Sequence, residues 1–135
     1  MKKILGIIVL GLLLSGNVYA LETPMKKLSK YFKSGELIKI QSYNSAKWPN
    51  GYMSIKDGSY KNSPIEVDAF IAFPKKGEGP FPVVMFAHAS GGASLFTDEW
   101  FKFNRLMAKS LLKKGIAVMF LDNFSARGQK HTYID

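Results

Sequence analysis

The chain has 135 residues, a length that predicts one domain at most, and no cysteine, which excludes disulfides and thiolate metal sites. Its formal net charge of +9 comes mostly from lysines that are spread along the sequence. Because no zinc-finger, RNP or basic-helix pattern accompanies them, we interpret the excess as solvated surface charge and expect no nucleic-acid partner.

Residues 1–20 have the features of a secretory signal peptide. Lys2 and Lys3 precede the apolar stretch Ile4–Leu14, and Val18 and Ala20 stand where a signal peptidase requires small residues. We therefore expect cleavage after Ala20 and export to the periplasm or the outside of the cell. The apolar stretch is shorter than the ~20 residues that span a bilayer, so we expect no stable membrane span after cleavage. The alternative is an uncleaved membrane anchor.

The first elements of the mature chain are a short N-terminal segment and a strand. Residues 21–34 predict either a mobile segment or a short amphipathic helix, because Met25, Leu28 and Phe32 share one helical face. The following residues, Glu36–Tyr43, alternate between apolar and polar side chains, which is typical of a strand.

A long polar segment separates this strand from the next two. Asn44–Pro64 contains Pro-Asn-Gly and Asp-Gly and predicts an elaborated loop, in which Tyr52–Ile55 is a short strand. Ile65–Pro74 shows the clearest alternation and predicts a strand with two distinct faces. Val83–His88 is apolar on both faces, as expected for an interior strand of a parallel sheet.

A helix is predicted after a polar, glycine-bearing corner. Thr97 is the expected N-cap, Asp98 and Glu99 suit the first turn, and Gly115 is the expected stop. The apolar residues at helical spacing predict a stripe that packs into the core: Phe96, Trp100, Phe103, Met107 and Leu111.

The last predicted strand, Ile116–Asp122, is apolar throughout. The later half of the chain therefore predicts strand, helix and strand, which is one right-handed crossover between parallel strands. The earlier strands are expected to pair antiparallel at one edge of the sheet, and Ile116–Leu121 is expected to lie at or near an open edge. The predicted fold class is α/β.

Small and polar residues follow both apolar strands, AHASGG after the first and DNFSARG after the second. Ligands of open α/β sheets bind at the carboxyl ends of strands, so these two loops predict a site. The glycines lack a G-x-G-x-x-G or P-loop context, which argues against nucleotides. The only histidines, His88 and His131, are far apart in sequence and too few for zinc. We expect no cofactor and no metal.

The segment FPVVMFAHASGGASLFTDEWFKFNRLMAKSLLKKGIAVMFLDNFSARG resembles the front half of the dienelactone hydrolase family of α/β-hydrolases. The similarity rests on the His-x-Ser-Gly-Gly corner and the Asp-x-Phe-x-x-Arg-Gly loop, each directly after an apolar strand, and covers roughly residues 36–130. The sequence departs from the common family pattern at Ala89, where glycine is usual. The resemblance implies a partial α/β-hydrolase fold, made of N-terminal edge strands and one crossover, and an enzyme that hydrolyses esters or lactones.

The same resemblance implies roles for five residues. Ser90 and Gly91 match the backbone donors of an oxyanion hole, which such enzymes take partly from the loop after the third strand. His88 matches the structural histidine that closes that strand, and Asp122 and Arg127 match the loop that lines the pocket. On the residues alone, Ser90 is also compatible with an ordinary turn serine, and Arg127 with a surface residue or a partner of Asp122.

The family's nucleophile is not found in the chain. Ser90, Ser94 and Ser125 all lack the G-x-S-x-G elbow, and no G-x-C-x-G occurs. We therefore expect residues 35–135 to be the N-terminal part of a hydrolase domain, truncated before the nucleophile elbow and inactive as given. The alternatives are a non-catalytic α/β binding or envelope protein, and another α/β-hydrolase subfamily such as an acyl-peptidase or lipase.

Overall fold

The computed structural model describes residues 22–44 and 50–131, so the predicted signal peptide, residues 1–20, lies outside the described part. Within these residues four strands form one sheet: β1 Gly35–Tyr43, β2 Pro64–Ala72, β3 Val83–Ala87 and β4 Ala117–Leu121. The helices are α1 Pro24–Lys27, α2 Asn50–Asp57 and α3 Lys102–Lys113. Short 3-10 turns lie at Leu28–Lys30, Ser59–Asn62, Ala93–Phe96 and Ser125–Arg127.

The sheet is mixed, with the spatial order β1-β2-β4-β3. β1 pairs antiparallel with β2, β2 pairs antiparallel with β4, and β3 pairs parallel with β4. Since α3 connects the parallel pair, the predicted strand–helix–strand connection is confirmed, as is the antiparallel pairing of the earlier strands, while the right hand of the crossover stays a prediction. The chain is a mixed helix and strand fold, in agreement with the predicted α/β class.

The predicted positions of the two apolar strands in the sheet are wrong. Val83–His88 was expected inside the sheet and Ile116–Leu121 near its edge, but β4 lies between β2 and β3, and β3 is outermost. Val83 and Met85 are accordingly 50% and 55% exposed. A strand that is apolar on both faces is suited to burial, but burial also requires a neighbour on each side, and the described residues supply only one for β3.

The hydrophobic core lies on one face of the sheet, beneath α3 and the N-terminal segment. The shared face predicted for the segment is confirmed, because Met25, Leu28 and Phe32 are almost fully buried. Phe120 of β4 lies at the centre, and its ring centroid is 5.0 Å from that of Phe96. The remaining members of the core are Phe70, Ala72, Ala93, Ala108 and Val118.

The second face of the sheet is less well covered. Side chains alternate between faces along a strand, so Met85, Met119 and Ile71 point away from the core that contains their neighbours Phe120 and Phe70. Met119 and Ile71 are half-buried and Met85 is exposed. An apolar surface therefore continues across the sheet from β2 to β3 on the face opposite the helices.

The predicted start and buried face of the long helix are also wrong. α3 begins at Lys102 rather than after Thr97, and the side chains that it buries are Arg105 and Ala108. Two members of the predicted core stripe, Trp100 and Phe103, are 92% and 64% exposed. The predicted stop is confirmed, because Gly115 has a left-handed φ of +81°.

Local hydrogen bonds explain why the helix begins late. The Asp98 carboxylate accepts a bond from the Trp100 N–H (2.8 Å), and the Thr97 hydroxyl donates to the Ser94 carbonyl instead of capping a helix. Buried Arg105 donates to the carbonyls of Phe96 (3.0 Å) and Asp98 (2.9 Å). These bonds hold the backbone in turns, which is how Ser, Thr and Asp side chains compete with a helix.

The short strand predicted at Tyr52–Ile55 is wrong, because these residues belong to α2. The Asp-Gly pair that suggested a turn ends this helix. Gly58 has a left-handed φ of +79°, a conformation that glycine commonly adopts directly after a helix.

Candidate functional site

The loops that follow β3 and β4 lie at the same rim of the sheet, because the two strands are parallel neighbours. The predicted site residues are divided between them. His88, Ser90 and Gly91 lie in the first loop, which we call the corner, residues 88–92. Asp122 and Arg127 lie in the second loop, residues 122–131, which we call the β4 loop.

The corner contains a tight turn with two available amides. The Gly92 N–H donates to the carbonyl of Ala89 (3.0 Å), so Ser90 and Gly91 are the central residues of the turn. Among the residues that the structure describes, no hydrogen bond uses the N–H of Ser90 or Gly91. Ser90 is exposed and Gly91 is buried. The corner therefore contains two backbone donors without an acceptor within the described segments, and the one at Ser90 belongs to an exposed residue.

Gly92 fixes the distance between the corner and the β4 loop. Its φ of +76° and ψ of −176° lie in a region that is essentially restricted to glycine. A Cβ at this position would lie 1.9 Å from the carbonyl oxygen of Lys130, a contact that no side chain tolerates. The backbone of the β4 loop thus crosses directly over the corner at Gly92.

His88 connects the two loops through hydrogen bonds. Its Nε2 accepts a bond from the Asn123 N–H (3.0 Å), and its Nδ1 lies 2.9 Å from the carbonyl oxygen of Ala89. Because Nε2 is the acceptor, Nδ1 carries the proton and donates it to that carbonyl. The ring also contacts Phe124 edge-on, with the centroids 4.3 Å apart. Both nitrogens are engaged with backbone, so His88 has none available to act as a general base.

Asp122 organises the beginning of the β4 loop. Its carboxylate is almost completely buried and accepts three bonds, from the N–H groups of Phe124 and Ser125 (both 3.0 Å) and from the Ser125 hydroxyl (2.6 Å). Its own N–H donates to the carbonyl of Asp68 on β2 (2.9 Å). Asp122 therefore shapes the loop from within, and its oxygens are not presented to a ligand.

Arg127 connects the β4 loop to the far edge of the sheet. Its guanidinium donates to the Tyr43 carbonyl (2.8 Å), to the Ser42 hydroxyl (3.1 Å) and to the carbonyl of Asn123. It forms no ion pair with Asp122 within the described part of the chain. The alternative interpretation of Arg127 as the partner of Asp122 is therefore wrong.

The surface has two hollows, and only the first lies beside these loops. A hollow of about 450 Å³ adjoins the β4 loop and is lined by Lys39, Ile65, Glu66, Asp68, Ser125 and Ala126. Lys39 donates a hydrogen bond to the Asp68 carboxylate there, and this bond raises the pKa of the lysine. The second hollow, of about 920 Å³, lies between α3 and the N-terminal segment. Neither is lined by Ser90, Gly91 or Arg127.

Two hydroxyls close to the corner, those of Ser94 and Ser125, are not activated as nucleophiles. Ser125 donates to the Asp122 carboxylate, and Ser94 donates to the Gly91 carbonyl (3.3 Å). Neither has a histidine as a hydrogen-bond partner within the described residues, so the serine–histidine pairing of acyl-transfer enzymes does not form here. The structure thus brings together candidate oxyanion donors and their supporting residues.

No protein-family model matches the chain, and a search of curated proteins finds no match either. In residues 22–44 and 50–131, no three side chains of the kinds that bind metal ions come together. The same residues contain no helix whose length and apolar character would let it cross a bilayer.

Sequence reasoning missed one feature of the site and one feature outside it. The first is Gly92, whose contact with Lys130 depends on the course of a loop that begins on another strand. The second is the large hollow between α3 and the N-terminal segment, whose lining residues come from three separate parts of the sequence.

Proposed function

We propose that the chain is the N-terminal part of an exported acyl hydrolase of the dienelactone hydrolase type, which acts on ester or lactone substrates. The observation that carries this proposal is the pair of available amides at Ser90 and Gly91. They follow a strand of a mixed sheet, at the rim where such folds bind ligands. A tetrahedral intermediate of acyl transfer needs donors of this kind for its oxyanion.

The uncovered surfaces of the sheet support a larger domain. β3 is outermost, and exposed Val83, Val84 and Met85 belong to it. Parallel strands are usually buried by neighbours and by helices on both faces. A further strand beside β3 and helices on the second face would bury these side chains. In this proposal the nucleophile, the acid and the catalytic histidine belong to those additional elements.

His88 and Gly92 have supporting roles in this proposal. His88 holds the corner to the β4 loop through the Asn123 N–H, and Gly92 lets the two backbones approach closely. Neither residue takes part in proton transfer. Their joint effect is to hold the turn at Ser90 and Gly91 in one conformation, and preorganised donors are the ones that stabilise a transition state.

The coding DNA beyond Asp135 provides the first test. We expect it to encode a G-x-S-x-G or G-x-C-x-G elbow within the next hundred or so codons, as typical domain length implies. The complete gene product should hydrolyse a simple aryl ester or lactone, and replacing the elbow nucleophile by alanine should abolish the activity. A stop codon directly after Asp135 would contradict the proposal and favour the non-catalytic binding protein.

The backbone donor at position 90 can be tested separately from the Ser90 hydroxyl, because proline and alanine both lack the hydroxyl but only proline lacks the N–H. Ser90→Pro eliminates the N–H, while proline remains compatible with the second position of a turn. In the complete gene product we expect Ser90→Pro to lower kcat about 100-fold to 1000-fold, the usual cost of losing one oxyanion donor. The matched control Ser90→Ala keeps the N–H and should retain kcat. Equal activity of the two variants would exclude an oxyanion role for this amide.

A further inference from the structure

The large hollow between α3 and the N-terminal segment is a lysine-lined groove. It has a volume of about 920 Å³, and six lysines from three segments contribute to its lining. Two follow α1, two follow β2 and two lie on α3: Lys30, Lys33, Lys75, Lys76, Lys109 and Lys113. The folded chain therefore concentrates positive charge that is dispersed along the sequence.

Little negative charge opposes these lysines. None of the described residues that line the groove is acidic. Glu22 pairs with Lys30 beside it (2.8 Å), which raises the pKa of Lys30, while no ion pair of the described residues involves the other five. All six lysines are exposed, so the groove can meet an anionic partner directly.

The floor and one border of the groove are apolar. Phe32 and Leu112 lie in its lining, and Leu106 on the rim is 58% exposed. Beside Leu106 on α3, Phe103 is 64% exposed and Met107 is 40% exposed. We call Phe103, Leu106 and Met107 the apolar row of α3. A helix that presents such a row next to lysines is typical of proteins that lie at a bilayer surface.

The aromatic rings of the groove do not suit single-stranded nucleic acid. Binding of bases requires exposed rings on which they can stack. Phe32 is only 3% exposed, and the Arg105 guanidinium covers the ring of Tyr31 at 4.3 Å from its centroid. Among the described rings of the groove and the apolar row, only Phe103 is exposed, and one ring does not form a platform for successive bases. A bilayer supplies phosphates for the lysines and hydrocarbon for the apolar row, so it satisfies both parts of the surface.

We propose that the lysine-lined groove and the apolar row of α3 form a docking surface for the headgroup layer of a membrane rich in anionic phospholipid. The lysines contact phosphates, and the apolar row enters the boundary between headgroups and acyl chains. This surface lies apart from the corner and depends on no part of the acyl-hydrolase proposal.

The test compares vesicle binding by the complete gene product and two variants of equal net charge. The groove variant carries Lys33→Gln, Lys76→Gln and Lys113→Gln. The control carries Lys56→Gln, Lys61→Gln and Lys130→Gln, which are exposed lysines outside the groove. Co-sedimentation is measured with vesicles of phosphatidylglycerol and phosphatidylcholine, and with phosphatidylcholine alone.

We expect the groove variant to bind anionic vesicles roughly a hundredfold more weakly, from the usual contribution of each lysine near such a surface. The control should remain within about threefold of the parent, because charges beyond a Debye length are screened. Binding to phosphatidylcholine alone should be weak for all three proteins. Equal losses in the groove variant and the control would overturn the proposal.

Two further measurements identify the occupant and its position. Leu106→Gln keeps every charge, and we expect it to weaken vesicle binding about tenfold by removing one inserted side chain. Amide hydrogen exchange should slow on anionic vesicles in residues 28–34 and 74–79, but not in 56–62. If hydrogen exchange in these segments is unaffected by vesicles, the membrane assignment is wrong. It is also wrong if polyglutamate binds with the same dependence on the lysines and Leu106→Gln has no effect on vesicle binding.

Discussion

The corner and the β4 loop follow neighbouring parallel strands, yet they use their polar groups in opposite ways. The β4 loop uses two of its polar side chains within the protein, since Asp122 accepts bonds from its own loop and Arg127 donates to the end of β1. The corner leaves the amides of Ser90 and Gly91 available. One loop therefore uses its buried polar groups for internal support, while the other keeps two backbone donors without a hydrogen bond in the described part of the chain.

A substitution that disrupts the contact between the corner and the β4 loop should give the largest loss of stability. Gly92→Ala places a Cβ against the Lys130 carbonyl and forces alanine into a conformation that is essentially restricted to glycine. We expect the free energy of unfolding of the complete gene product to fall by more than about 3 kcal/mol, measured by chemical denaturation.

Gly128→Ala is the matched control for this prediction. Gly128 also has a positive φ, +69°, but a Cβ there would have no neighbour within 4 Å. The cost should therefore be only the ~1 kcal/mol of a left-handed alanine. Equal losses at the two positions would show that the loops do not touch at Gly92.

Removing the Asp122 carboxylate, which holds the β4 loop from within, should give the next largest loss of stability. Asp122→Ala leaves the N–H groups of Phe124 and Ser125 without their acceptor, and we expect a loss of about 2 to 3 kcal/mol in the free energy of unfolding. Asp122→Asn keeps one acceptor oxygen and should lose about half as much by the same argument. If Asp122→Ala unfolds at the same denaturant concentration as the parent protein, the carboxylate does not hold the loop.

The link from Arg127 to β1 should contribute less, because this side chain is only half-buried. Arg127→Met removes the donors to Ser42 and Tyr43, and we expect about 1 to 2 kcal/mol of destabilisation in thermal unfolding. Arg127→Lys should recover only part of this, since one ammonium cannot reproduce the planar fork of donors. Full recovery with lysine would mean that charge alone is important at this position.

The four strands of the sheet were predicted from the sequence because their patterns are local, whereas the strand predicted at Tyr52–Ile55 is part of a helix. The alternation in Ile65–Pro74 and the apolar run at Ile116–Asp122 depend on the chain itself, and both became strands of the sheet, β2 and β4. Neighbour relations in the sheet are not local, so the position of β3 at the edge could not be inferred from its composition. The predicted start of the helix was wrong for another reason, because Asp98 and Arg105 form hydrogen bonds that compete with helical ones.

The candidate site was predictable in part. The small residues of the corner indicated an exposed turn, and the amides of Ser90 and Gly91 are available, although their role in catalysis stays a prediction. The bonds of His88 and Arg127 could not be predicted, because their partners lie on other loops and strands. The lysine-lined groove was missed since its members are adjacent only after folding.

Arg127 has a consequence for the order of events during folding. Its bonds to Ser42 and Tyr43 join positions that are 85 and 84 residues apart in the chain, and they require β1, β2 and β4 to be in place. We expect such long-range bonds to form at the end of assembly and to be absent from the transition state. Removing these bonds should therefore accelerate unfolding while the refolding rate stays nearly constant. In that case Arg127 lengthens the lifetime of the folded state without changing how fast the protein folds.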